Sequence, residues 1–385
     1  MMNVFRALAP LRKLVWRSAA AAMILGGQAC RAQEAPAVKA APAADAADES
    51  AQYTVETIAA ALDNPYAIAL RPSTATSGPQ ELYVSESGAG RVVRLTTEKP
   101  GELTPVVTGI PVQPLGDKPD YRLGPMGLAF ITPAKLAVGT GGLGLGKDVV
   151  RVYALPADGS PLAFDAADHA VGPLAPGSRS RTGQGLFMSL ASIEDQVEKA
   201  LFAASAGDPD EGWVLKAKLT ANRVTDLQPF IATRRLTGAP SPSAVAINPK
   251  PRSHYLLIAQ AGERSGERDS TLGFYGPATG ALAMHVQTGL YDISALAYSP
   301  SGELYATDFS WNDATAGGVY RFDAAEVDGL QSCRPVKIAE VRRPTGLAFT
   351  PDGALWVTAF GDGDEPSAPR GALLKITAKP SEPRL

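Results

Sequence analysis

Two carboxylates that close the same phrase are the residues best suited to chemistry. Glu81-Leu-Tyr-Val-Ser-Glu86 and Glu303-Leu-Tyr-Ala-Thr-Asp308 each run from an acid through Leu-Tyr to a second acid. Carboxylate oxygens suit a hard cation such as Ca2+, which takes about 6–8 oxygen ligands. Asn64 and Asn312 add amide oxygens, and acids recur at Asp148, at Asp208, Asp210 and Glu211, at Glu263, Glu267 and Asp269, and at Asp362, Asp364 and Glu365. The plainer role of an acidic loop residue is to be solvated, and it competes at every one of these positions.

Residues so scattered act together only if the chain carries them to one place, and a repeat supplies the means. A short apolar phrase occurs six times: Asn64-Pro-Tyr-Ala-Ile-Ala-Leu, Gly124-Pro-Met-Gly-Leu-Ala-Phe, Thr182-Gly-Gln-Gly-Leu-Phe-Met, Ser241-Pro-Ser-Ala-Val-Ala-Ile, Asp292-Ile-Ser-Ala-Leu-Ala-Tyr and Arg343-Pro-Thr-Gly-Leu-Ala-Phe. Measured from Ala67, Gly127, Gly185, Ala244, Ala295 and Gly346, the intervals are 60, 58, 59, 51 and 51 residues. Such a period, carried by short strands, marks a radial array of the β-propeller kind. Each phrase is read as an inner strand. Turns such as Ser299-Pro-Ser-Gly and Thr350-Pro-Asp-Gly lead to a second strand, for example Ala354-Leu-Trp-Val-Thr. A third strand (Arg91-Val-Val-Arg-Leu) and an outer fourth (Pro105-Val-Val-Thr) complete the unit.

The fold class is therefore all-β, a six-bladed β-propeller of four-stranded antiparallel blades over residues 53–385. The last unit lacks an outer strand, while Tyr53-Thr-Val-Glu-Thr-Ile58 precedes the first with no local partner. Open rings leave unpaired edges, so the N-terminal strand is expected to close the last blade. The loops that enter the inner strands and those that leave the second strands share one face, around the mouth of the central channel. Glu86, Asp308, Asn64 and Asn312 are the metal-ligand candidates there. The three histidines, His169 in a linking segment, His254 in a turn of the opposite face and His285 in an outer strand, offer no general base at the mouth. Phe309 and Trp311 suit either stacking on a ligand or capping the core. Arg122, Arg181, Arg343 and Arg370 suit an anionic ligand or solvent. The stretch Gly139-Thr-Gly-Gly-Leu-Gly-Leu-Gly leads into another strand and not into a helix, which argues against a phosphate loop.

Composition narrows the classes. Thirty-six Lys and Arg against 39 Asp and Glu, with no basic run, disfavour nucleic acid as a partner. Residues 1–32 read as an export signal: Arg6, Arg12, Lys13 and Arg17 precede a short apolar stretch and Cys30-Arg31-Ala32. That stretch is too short to span a bilayer, which takes about 20 residues. Gly27 stands where a lipoprotein signal wants Leu, against lipid anchoring at Cys30. Residues 33–52, rich in Ala, Pro and Asp, read as a disordered linker. Cleavage after Ala32 leaves Cys333 as the lone cysteine, without a disulfide and inert. The expectation is a periplasmic or secreted monomer.

The sequence Arg343-Pro-Thr-Gly-Leu-Ala-Phe-Thr-Pro-Asp-Gly-Ala-Leu-Trp-Val357 resembles the NHL-repeat propellers and the related gluconolactonase/regucalcin-like superfamily, and the resemblance spans residues 53–376. It implies the six-bladed frame, which carries lactonases, quinone-dependent dehydrogenases and modules that only bind. It also implies, for a gluconolactonase-like enzyme, a Ca2+ held by Glu, Asn and Asp with an Asp assisting water. Those enzymes open the first inner strand with Glu, and this chain has Asn64 there. The leading expectation is thus a non-catalytic propeller that requires no cofactor and binds a small molecule or protein at the channel mouth. The alternative is a Ca2+-dependent lactonase-type hydrolase; convergence of three or four oxygens on one point would favour it.

Overall fold

Small and aliphatic residues at every second position let six strands crowd round one axis. The inner strands are Pro65–Leu70, Pro125–Thr132, Phe187–Glu194, Pro242–Ile247, Ile293–Tyr298 and Pro344–Phe349. The computed structural model describes residues 39–385 apart from 74–77, 117, 178–179, 196–197, 208–210, 221–222, 250–254, 362–370, 381 and 383–384. Within them each blade is an antiparallel run from inner to outer strand, and the six blades form a propeller. The export-signal residues 1–32 lie outside the described part. Among the described residues no helix is long and apolar enough to cross a membrane.

The ring closes as its edges require. Tyr53–Ala60 pairs antiparallel with Ala372–Ala378 and so supplies the outer strand of blade 6. Where blades 6 and 1 meet, Trp356, Ala348 and Leu373 pack against Ile68, Leu82, Val84 and Leu95, all buried. The other blade interfaces bury equivalent apolar layers. Burial of this kind, at about 25 cal/mol per Å2, holds the ring without any disulfide.

Three expectations need correction. In blade 3 the inner strand starts at Phe187, and Phe187 pairs with Ser205, so the phrase in register is Leu186-Phe-Met-Ser-Leu-Ala-Ser. The residue equivalent to Ala67 is Ser189, four residues beyond Gly185. Residues 41–52 do not form a free linker: Ala47–Asp48 adds a parallel strand to the outer edge of blade 5, and Ala41 bridges to Val286 of blade 4. The outer strand edges present unpaired amides and carbonyls, and this segment pairs with them. Third, His169 belongs to the outer strand His169–Val171, where its Nε2 accepts from the Val224 N–H at 3.0 Å. Cys333 is buried, and burial pushes its thiol up to about 12.

One backbone hydrogen bond recurs in all six blades and defines the channel rim. The amide just after the second strand donates to the carbonyl just before the inner strand. The pairs are Ser87 to Asn64, Gly141 to Gly124, Ala206 to Leu186, Ala261 to Ser241, Phe309 to Asp292 and Phe360 to Arg343, at 2.8–3.4 Å. Residues Asn64, Gly124, Leu186, Ser241, Asp292 and Arg343 thus occupy one ring of equivalent places.

Candidate functional site

The rim bond throws the residue after each second strand inward, and on blades 5 and 6 that residue is aromatic. Phe309 and Phe360 meet at 6.0 Å between ring centroids, with Trp311 4.7 Å from Phe309 and Tyr66 6.3 Å from Phe360. Tyr121 joins them at 5.3 Å from Phe360 and 5.7 Å from Trp311. It arrives on a hairpin between blades 1 and 2, Gln113–Leu115 with Lys118–Leu123. Gly142 allows that approach, because a Cβ there would stand 2.0 Å from the Pro111 carbonyl oxygen. The Gly-rich stretch is therefore a packing surface for this connection.

Tyr66, Phe309, Trp311 and Phe360 form one wall of a cup of about 620 Å3, part of it open to solvent, completed by Met126, Leu186, Met188 and Ile293. Its floor continues into the channel between the inner strands, and Met188 and Ser294 line both spaces. Two ionisable side chains interrupt the apolar lining, Asp292 and Arg264. The Arg264 guanidinium lies 4.1 Å from the centre of the Trp311 ring, a cation–π contact. Asn312 Nδ2 donates to the Arg264 carbonyl at 3.3 Å and steadies the loop.

Asp292 is pinned on three sides. Its N–H donates to Asp308 Oδ1 at 2.7 Å, its carbonyl accepts the rim bond, and its Oδ2 accepts from the Trp311 N–H at 2.8 Å. Its residue exposure is 5%, and Oδ1 is buried without a hydrogen-bond partner. Burial is the main cause that pushes its carboxyl up to about 6, helped by Asp308 and Asp269 and opposed by the Trp311 N–H and Arg264. A second buried polar atom on the wall, Tyr66 Oη, likewise lacks a partner. A carboxyl half held and half free, titrating near 6 in a largely apolar cup, has the properties of a general base.

The candidates named from sequence take other roles. Both oxygens of Glu86 are occupied, by the Asp63 N–H at 2.9 Å and by Arg91 Nε at 2.6 Å. Asp308 accepts from Tyr291 N and Asp292 N at 3.0 and 2.7 Å. Asn64 Oδ1 accepts from Arg122 N at 2.9 Å and ties the hairpin to blade 1. These oxygens brace the strand entries of blade 1 and blade 5. Among the described residues no three of His, Cys, Asp or Glu come together as metal ligands. Among the described residues the oxygens of Glu86, Asp308 and Asn64 are engaged by N–H donors and do not converge as a Ca2+ donor set. Of the arginines, Arg122 pairs with Asp63 and Arg343 Nη1 donates to the Ser310 and Trp311 carbonyls. Arg181 is exposed. Arg370, Asp208, Asp210, Asp362, Asp364, Glu365 and His254 lie outside the described residues.

Asp292 was not singled out from the sequence, although it opens the fifth phrase. The signal was its place in that phrase, since the first residue of each sits on the rim.

No family model and no curated protein matches the sequence. Among solved structures the chain is similar to a Thermus thermophilus protein described as an oxidoreductase (glucose dehydrogenase), at 18% identity and TM-score 0.55, over 84% of this chain and 99% of that one. It is also similar to PQQ-bound aldose sugar dehydrogenase from Streptomyces coelicolor, at 14% and 0.53, over 85% and 99%. A gluconolactonase from Xanthomonas campestris aligns at 15% and 0.53, over 90% and 99%. At these identities the likeness shows the fold alone, a six-bladed propeller.

Proposed function

We propose that this propeller is a hydrolase that opens a cyclic ester at the channel mouth, with Asp292 as general base. The carrying observation is the carboxyl of Asp292, whose Oδ2 is fixed by the Trp311 N–H while Oδ1 stays without a partner on the cup wall. In this reading a water donates its proton to Oδ1 as its oxygen bonds to the ester carbonyl carbon. Arg264 donates to the carbonyl oxygen as negative charge grows there. The ring C–O bond then breaks, and Asp292 returns the proton to the departing alkoxide. The fold shared with a gluconolactonase supports the reaction class, while the residues that carry it are this chain's own. Neither Glu86 nor Asp308 enters the reaction, and none of these steps calls on a metal.

The test is proton release from a panel of lactones between pH 4 and 9. The expected profile rises with pH through about 6, as Asp292 loses its proton, and Asp292→Asn abolishes it. The aromatic wall is equally suited to holding a ligand without changing it. Tight binding of a lactone with no proton release would establish that second reading.

A further inference from the structure

The polar capacity of the cup limits what it can hold. Ser243 and Ser294 lie on its wall, but their hydroxyls donate to the Ile293 and Pro344 carbonyls. Among the described residues, Asp292 Oδ1, Tyr66 Oη and the Arg264 guanidinium remain to meet a ligand, and the other side chains lining the space are aromatic or aliphatic. Tyr66 is 6% exposed and Asp292 5%, and both residues line the cup. Arg264 lies within electrostatic reach of both.

A ring bearing a hydroxyl on most carbons brings several donors and acceptors for each one the cup can answer. Each hydroxyl buried without a partner weakens binding. An aromatic or alicyclic body has no such deficit, and it gains offset or edge contacts with Phe309, Trp311 and Phe360. We infer that the occupant is a largely apolar ring compound with a single carbonyl group, and not a polyhydroxylated sugar lactone. Its carbonyl oxygen lies against Arg264 and Tyr66, and its ring against the aromatic wall. This inference rests on the reading of the cup as the reaction site, and it names the substrate class.

Binding can be separated from turnover. Trp311 is a wall residue, so its fluorescence reports occupancy. The full-length Asp292→Asn protein, in which the proposed reaction is slowed by about 10²–10⁴-fold, is titrated with γ-phenyl-γ-butyrolactone, glucono-δ-lactone and 2-phenyltetrahydrofuran, which lacks the carbonyl. The phenyl lactone is expected to bind at least about 30-fold more tightly than the sugar lactone. Arg264→Met should weaken the phenyl lactone about tenfold and leave the ether unchanged. Calorimetry on Trp311→Phe, which keeps an aromatic ring but removes the signal, should return the same ranking. Equal or tighter binding of glucono-δ-lactone would overturn the inference, as would an Arg264→Met loss equal for lactone and ether. Proton release by the wild type is read separately. Phenyl lactone bound but never opened defeats the hydrolase and leaves the ligand class standing, while turnover confined to the sugar lactone does the reverse.

Discussion

Blade 5 holds two buried aspartates whose acidity is weakened by the same cause and whose situations differ. Burial raises the carboxyl of Asp308 and that of Asp292. Asp308 sits at the end of the second strand, and each of its oxygens receives a backbone N–H. Asp292 sits at the entry to the inner strand, and one of its oxygens receives none. The first carboxylate holds a loop in place; the second is held in place by that loop and faces a cavity. Residue type and burial do not tell them apart. The number of unmet hydrogen bonds does, because a buried polar atom left unpaired costs about 1–3 kcal/mol and persists only where something offsets it.

The same substitution at both sites breaks the comparison if it is wrong. Asp292→Asn keeps the acceptor for Trp311 and removes the base, so kcat for ester opening should fall by about 10²–10⁴-fold with the fold intact. Wild-type activity should be lost below about pH 6. The charged groups acting on Asp292 are Asp308 and Asp269, which add to the rise that burial causes, and Arg264, which opposes it together with the Trp311 N–H. A stopped-flow or pH-stat series checks both points. A variant with wild-type kcat would remove Asp292 from the reaction.

Asp308→Asn should fail in another way. An amide offers one oxygen and one N–H2 group to two N–H donors, so one of Tyr291 and Asp292 loses its acceptor inside the protein. Stability should drop by about 2–3 kcal/mol, read as a lower denaturation midpoint, and activity should fall with it because Asp292 loses an anchor.

Asp292→Asn should do the opposite to stability. The folded-state carboxyl titrates near 6 and the unfolded one near 3.8, so the folded state binds its proton more tightly. Between those values stability falls as pH rises, and above about 6 the full cost of ionising Asp292 is present. The variant should therefore be more stable than wild type by about 3 kcal/mol at pH 8, with most of the gap closed by pH 4. Denaturant titrations at the two pH values measure it. A variant less stable at pH 8 would mean that Oδ1 makes a stabilising contact.

Much of this fold was legible because its repeats are local. The turns at Ser299-Pro-Ser-Gly and Thr350-Pro-Asp-Gly form as read, with Gly302 and Gly353 at φ of 86° and 87°. The spare strand Tyr53–Ala60 closes the ring as unpaired edges require. Blade 3 misled because Gly185 mimics the small residue of the phrase, whereas Ser189 fills that place. The site was less legible because long-range contacts make it. Tyr121 reaches the wall on a hairpin with no counterpart in the repeat, and the partner that fixes Asp292 is a backbone N–H of residue 311. Glu86 and Asp308 drew attention as carboxylates at strand ends. That position is where an acid finds the amides of the entering loop, so the pattern reported a brace.

Glu86 gives the mildest form of the comparison. Its Oε1 accepts from the Asp63 N–H and its Oε2 pairs with Arg91, whose side chain is 41% exposed. Glu86→Gln keeps one acceptor and loses a charge pair that solvent partly screens, so the cost should be about 1 kcal/mol. A metal ligand would behave differently. If Glu86 helped to hold Ca2+, wild type would gain stability from the ion, by about 2.7 kcal/mol at a hundredfold excess over Kd, and the variant would lose that gain. With both oxygens already engaged, the loss in Glu86→Gln should be the same in Ca2+ and in chelator, and melting curves of the two proteins in both buffers decide it. A loss seen only with Ca2+ would turn this carboxylate from a brace into a ligand and undo the distinction from Asp292.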